Sequence, residues 1–281
     1  MNFGIDSRLI KVGAGKFLFS DPAIESERTM DVHYYYPQGA NKNSPIVFLL
    51  HGFDRAAAYF RDCWADHAER FGMVIVAPEF DITSFPEPAH YNYGNVRASE
   101  KDGGRFNPRD RWTFFMVDRL FDHVRKAIGS DRTTFSLFGH SAGAQFAHRY
   151  LALSGAPRVD LVVSGNAGWY LLPGRSSTYP AGIDGLDFAD SDLREYLAKP
   201  LVLLLGEADN DEAAADLPTI PEAIAQGPDR LSRGLFYFRT CKDLADQLNT
   251  NFAWRLVTAP GIGHDDREIA EAAAKLIAGV Q

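Results

Sequence analysis

The chain has 281 residues, of which 46% are hydrophobic and 23% charged, a balance typical of a soluble globular protein that can bury a sizeable core. Its net charge of -8 excludes nucleic acid as the main partner, because phosphate binding needs clustered Lys and Arg. Its two cysteines, Cys63 and Cys241, lie in no Cys-x-x-Cys pair and at no metal-ligand spacing from histidine, which excludes a disulfide framework and a zinc site.

In chain order, the N-terminal stretch MNFGIDSRLIKVGAGKFLF lacks the basic start and unbroken apolar run of a signal peptide, and no later segment reaches membrane-spanning length. A cytoplasmic protein without membrane contact is expected, with secretion the alternative if a leader preceded this numbering. β-favouring runs follow at SRLIKVGAGKFLF and MDVHYYYP, whose alternation suits an antiparallel edge. Further runs come at SPIVFLLHG, GMVIVAPEF, TTFSLFGH, VDLVVSGN, KPLVLLLGE and AWRLVTAP. From SPIVFLLHG onward they are mostly continuous and apolar, as strands buried on both faces of a parallel sheet require. Helical spacing occupies roughly Arg55 to Phe71, Asp110 to Ile128, Ser141 to Ser154, Asp229 to Leu248 and Asp265 to Ala278. This alternation predicts an α/β fold: a mostly parallel, doubly wound sheet of about eight strands with helices on both faces. No linker divides the chain, so a single domain over 1–281 is expected. Long loops over 78–109 and 164–190 are the candidate lid or substrate loops.

Within TFSLFGHSAGAQF, residues 134–146, a Gly-x-Ser-x-Gly pattern falls where an apolar strand turns directly into a helix. Such an elbow lifts the hydroxyl of Ser141 above the sheet edge, and the N–H groups of the helix that starts there favour negative charge beside it. A serine needs a base, and the base needs an orienting acid. Asp209 follows the apolar run PLVLLLGE, and His264 lies in the glycine-rich loop after LVTAP, so Ser, Asp and His occur in the chain order this elbow demands. Both positions follow parallel strands at their carboxyl ends, where open α/β sheets place their sites. Glu207 and Asp211 are alternatives to Asp209, whereas Asp265 and Asp266 suit the start of the last helix. The N–H of Ala142, next after the serine, and that of Phe53, after the strand ending in His51-Gly52, are the candidate oxyanion donors.

The pieces LLHGF, FGMVIVAPEF, FGHSAGAQF, GEAD and GIGHD, in this order, resemble the serine α/β-hydrolases, especially polyhydroxybutyrate depolymerase-like and feruloyl esterase-like esterases. The resemblance implies an α/β-hydrolase fold, a triad of Ser141, Asp209 and His264, and oxyanion donors at Phe53 and Ala142. The segment SGNAGWYLLPG is similar to one in bacterial members of the wider family, which implies that Trp169 and Tyr170 line the cleft. Tyr91 and Tyr93, in the other long loop, are also candidate substrate-binding residues, with loop packing as the alternative for all four.

The function expected is hydrolysis of a small-molecule or oligomeric carboxylic ester through an acyl-enzyme, with no cofactor and no metal. Amide or peptide hydrolysis by the same residues is the first alternative, including cleavage of an acidic polymer held by Arg97, Lys101, Arg105, Arg109 and Arg111. Those residues otherwise read as a solvated loop. A catalytically silent fold serving as an interaction module is the second alternative.

Overall fold

The computed structural model describes residues 10–21, 23, 29–99 and 104–280. Lys101 and the first residues of the run SRLIKVGAGKFLF therefore lie outside the described residues. Eight strands, β1 (Gly13–Ser20), β2 (Thr29–Tyr36), β3 (Ile46–Leu50), β4 (Val74–Pro78), β5 (Phe135–His140), β6 (Val159–Gly165), β7 (Leu201–Gly206) and β8 (Arg255–Ala259), form one sheet in the order β1-β2-β4-β3-β5-β6-β7-β8. β2 runs antiparallel to both neighbours, and every pair from β4 to β8 is parallel. The antiparallel edge and the parallel centre both match the expectation from alternating and continuous apolar runs.

The continuous runs are apolar because both faces of the sheet are covered. In β3, Ile46, Phe48 and Leu50 join one core with Leu137 of β5, while Val47 and Leu49 join the core on the opposite face with Phe138. The first core is closed by α3 (Thr113–Ala127), α4 (Ala142–Leu153) and α7 (Arg230–Gln247), and the second by α1 (Ala57–Cys63), α2 (Ala65–Phe71) and α8 (Asp266–Ala278). The helix expected over 55–71 is divided at Trp64, whose buried indole stacks against Phe138. Two helices were not anticipated. α5 (Asp190–Leu197) buries only Leu193, Tyr196 and Leu197, and α6 (Pro221–Ile224) is a single turn. Both carry too few apolar residues for a period to show. Among the described residues no helix is long and apolar enough to cross a membrane.

The crossing of α4 over the sheet positions everything that follows. All twelve residues of α4 are buried. An added Cβ at Gly143 would run into the carbonyl oxygens of Leu50 and His51, and one at Gly139 into the backbone of Gly143 and Ala144. The two glycines of the Gly-x-Ser-x-Gly pattern thus let the first turn of α4 touch the ends of β3 and β5. Replacing Gly143 by Ala is expected to destabilise the protein by about 3 kcal/mol, because overpacking against backbone cannot relax by a rotamer change. Urea unfolding measures this, and a loss below about 1 kcal/mol would show that α4 withdraws from β3 freely.

Candidate active site

Ser141 stands between β5 and α4 with φ 55° and ψ -114°, a strained conformation for any residue with a Cβ. Its N–H donates to the carbonyl of Gly165 at 3.0 Å, and its carbonyl accepts from Gln145 N–H at 3.1 Å, so backbone bonds on both sides hold the turn. Ala142 is the first residue of α4 and its N–H has no intrahelical acceptor. The N–H of Phe53 has no acceptor among the described residues. Gly52, Phe53, Ser141 and His264 line one cavity of about 290 Å³.

The loops after β7 and β8 meet over that cavity. His264 Nδ1–H donates to Asp209 Oδ2 at 2.7 Å, and Asp209 is only 3% exposed. An ionised carboxylate only accepts, so this contact leaves His264 Nε2 as the ring's proton acceptor. The two alternatives to Asp209 are engaged elsewhere: Glu207 accepts from Thr258 Oγ1 at 2.7 Å, and Asp211 accepts from Ala213 N–H at 2.9 Å. Asn166, at the end of β6, ties the loops together. Its Oδ1 accepts from Gly206 N–H at 2.8 Å and its Nδ2 donates to the Gly263 carbonyl at 3.2 Å.

The model of the Esterase family matches residues 22–155. A poly(aspartic acid) hydrolase from Sphingomonas sp. KT-1 is 37% identical, with a TM-score of 0.90 over 95% of this chain and 99% of its own. A poly(3-hydroxybutyrate) depolymerase from Bordetella parapertussis is 33% identical, with a TM-score of 0.89 over 95% of this chain and 89% of its own. The chain belongs to the serine α/β-hydrolase esterases. An S-formylglutathione hydrolase from Agrobacterium tumefaciens, 16% identical with a TM-score of 0.61 over 95% of this chain and 94% of its own, shares the fold. No curated protein sequence matches the chain.

Three residues of this hydrolase that escaped sequence reasoning as site residues stand beside His264. Asp266, the first residue of α8, accepts from His140 Nδ1–H at 2.5 Å, and the His140 ring lies 4.5 Å from that of His264. Burial lowers the pKa of His140 and outweighs the opposing effect of Asp266, so this ring is neutral. Arg230, 2% exposed, places Nη1 3.4 Å from Asp209 Oδ1 and Nη2 2.6 Å from Asp216 Oδ1. Asp216 Oδ2 in turn lies 3.9 Å from His264 Nε2. Asp266 was visible as a helix start, but nothing in the local pattern around Asp216 or Arg230 marks them.

Of the four aromatic residues expected to bind substrate, three are buried in the core: Tyr91, Tyr170 and Trp169, the last 1% exposed in a small cluster with Ala181 and Ala223. Tyr91 is 0% exposed, donates its hydroxyl to the His51 carbonyl at 2.7 Å and stacks on Phe80. Tyr170 is likewise 0% exposed and stacks on Tyr237 4.5 Å away. Burial raises the pKa of both phenols, and both expectations are corrected: Tyr91 ties its loop to the end of β3, and Tyr170 packs its loop against α4 and α7. Tyr93 and Trp169 meet edge to face at 5.8 Å and line a second cavity of about 310 Å³ with Tyr179, Ile220 and Arg97. Arg149, on α4 two turns beyond Ser141, stacks beneath both rings at 4.9 and 5.1 Å. Among the described residues one further group, Asp31, His33 and Glu79, brings potential metal ligands together at the antiparallel edge of the sheet. The ammonium of Lys16 already sits 2.7 Å from Asp31, and His33 contacts Glu79 at 2.9 Å.

His51, just before the candidate oxyanion loop, has both ring nitrogens engaged. Nδ1–H donates to the Gly52 carbonyl at 2.9 Å and Nε2 accepts from Phe80 N–H at 3.1 Å. Burial lowers its pKa from 6.5 to about 4. Unfolded chains therefore bind a proton that the folded protein refuses, and stability present above pH 6.5 is lost as pH falls towards 4, by about 3 kcal/mol. Urea midpoints measured from pH 7 to 4 should fall less steeply in His51→Gln than in the parent protein, and equal slopes would refute the assignment.

Proposed function

We propose that the protein hydrolyses carboxylic esters through an acyl-enzyme formed on Ser141. The observation that carries this reading is the 2.7 Å contact between His264 Nδ1 and Asp209, with His264 and Ser141 on one cavity wall. Ser141 Oγ attacks the ester carbonyl while its proton passes to His264 Nε2. The resulting oxyanion is held by the N–H groups of Ala142 and Phe53, with the N-terminal end of α4 favouring its charge. As the tetrahedral intermediate collapses, the C–O bond to the alcohol breaks and the imidazolium returns its proton to the departing oxygen. A water molecule deprotonated by the same Nε2 then releases the acid and restores Ser141. Asp209 keeps the proton on Nδ1 and stabilises the imidazolium, and Arg230 holds Asp209 from behind. Tyr93, backed by the buried Trp169, forms an aromatic subsite for the part of the substrate beyond the ester.

Ser141→Ala is expected to abolish turnover of p-nitrophenyl acyl esters. Asp209→Asn should lower kcat about 10⁴-fold, as expected when an imidazole adopts the wrong tautomer. Turnover by Ser141→Ala at the parent rate would sink the assignment. A p-nitroanilide tested in parallel separates ester from amide hydrolysis. Tyr93→Ala should raise KM for esters with bulky groups while leaving acetyl esters nearly unchanged, a split that steady-state kinetics reads directly.

A further inference from the structure

The two closer relatives act, by their names, on a neutral polyester and on a polyanion, and the walls of the Ser141 cavity distinguish these classes. Asp54, Asp216 and Asp266 line it, and among the described residues no lysine or arginine does. Arg230, the cation paired with Asp216, is buried and divided between Asp209 and Asp216. We propose that Asp216 determines specificity in this cleft, favouring esters that are neutral or cationic beside the scissile bond and rejecting those that carry a carboxylate there. The inference rests on the assignment of Ser141 and His264 to the chemistry.

Asp216 is placed for this task. Its Oδ2 lies 3.9 Å from His264 Nε2, the atom that must face both Ser141 and the leaving oxygen, so a group attached near the reacting carbon passes close to this carboxylate. Burial works against its charge, but the hydrogen bond and charge of Arg230 prevail and keep its pKa below the ordinary aspartate value. The side chain is still 51% exposed, so its charge faces the cavity and is only partly screened by water. Asp266 is committed to His140, and among the described residues Asp216 alone of the three carboxylates comes within 4 Å of a His264 ring nitrogen.

Of the basic loop expected to hold an acidic polymer, none of the described members Arg97, Arg105, Arg109 and Arg111 lines the Ser141 cavity. Arg97 lines the second cavity, and Arg109 stacks on Trp112 while donating to the Leu153 carbonyl at 3.0 Å. Like charges brought together in a desolvated cleft act as a repulsive element of specificity, whereas the same carboxylate attracts a cationic substituent and the imidazolium of the transition state.

The test compares p-nitrophenyl pentanoate, the p-nitrophenyl monoester of glutaric acid and the p-nitrophenyl ester of 4-(trimethylammonio)butanoic acid. The acyl chains are of similar length and carry no charge, a negative charge and a positive charge. With the parent protein at low ionic strength, kcat/KM for the anionic ester should fall about tenfold or more below the neutral one, with the cationic ester at least equal to it. Asp216→Asn should shrink the anionic penalty about tenfold, Asp216→Glu should retain it, and 0.5 M salt should reduce it in the parent protein. Equal turnover of anionic and neutral esters by the parent, or an unchanged ratio in Asp216→Asn, would overturn the proposal while leaving the serine mechanism standing. Absence of Ser141-dependent turnover of the neutral ester would overturn the mechanism and this inference with it.

Discussion

The hydroxyl of Ser141 reaches the cavity because the first turn of α4 lies directly on the backbone of β3, with no side chain between them at Gly143. That contact forces Ser141 to φ 55°, a conformation that costs on the order of 1–3 kcal/mol and persists only where surrounding structure over-determines it. Here the surroundings are the backbone bonds to Gly165 and Gln145, and a helix buried along its whole length. The same approach sets the end of β3, and with it Gly52 and Phe53, against the cavity that Ser141 lines. Ser141 and the loop at Gly52 and Phe53 are thus fixed by one packing constraint.

The acid and the base depend on polar tethers. The loop carrying His264 contains two glycines and is held by Ile262, which packs on the core and accepts from the Ala208 N–H, by Asn166 and by the His264–Asp209 contact. Asp209 is held by Arg230, and His140 by Asp266. In a water-poor environment each of these bonds is worth more than at the surface, and an unpaired member would be costly. Such a network tolerates the burial of Asp209, His140 and Arg230 only as a set.

The two cavities differ in the chemistry of their linings. At Ser141 the lining is acidic and close to the reacting atoms. Beyond it, Tyr93, backed by Trp169, presents aromatic surface over the buried guanidinium of Arg149, whose hydrogen bonds go to the carbonyls of Gln145 and Pro180. Gly168 packs against Pro218, so the segment from Asp216 to Ile220 runs between the two spaces and contributes its two end residues, one to each.

The amino-acid sequence alone determined the sheet, its parallel centre and the positions of Ser141, Phe53 and Ala142, because these follow from local rules. Continuous apolar runs mark strands covered on both faces, and a strand that turns into a helix through Gly-x-Ser-x-Gly has one backbone solution. Chain order likewise brought Asp209 and His264 to strand ends. Only the tertiary structure decided which carboxylate His264 meets, that Tyr91 and Tyr170 are core rings, and that Asp216, Arg230 and Asp266 belong to the site. Those contacts join residues 14 to 126 positions apart. No local period encodes such pairings, since they arise where loops from different strand ends converge, and loop paths are set by packing and by buried hydrogen bonds.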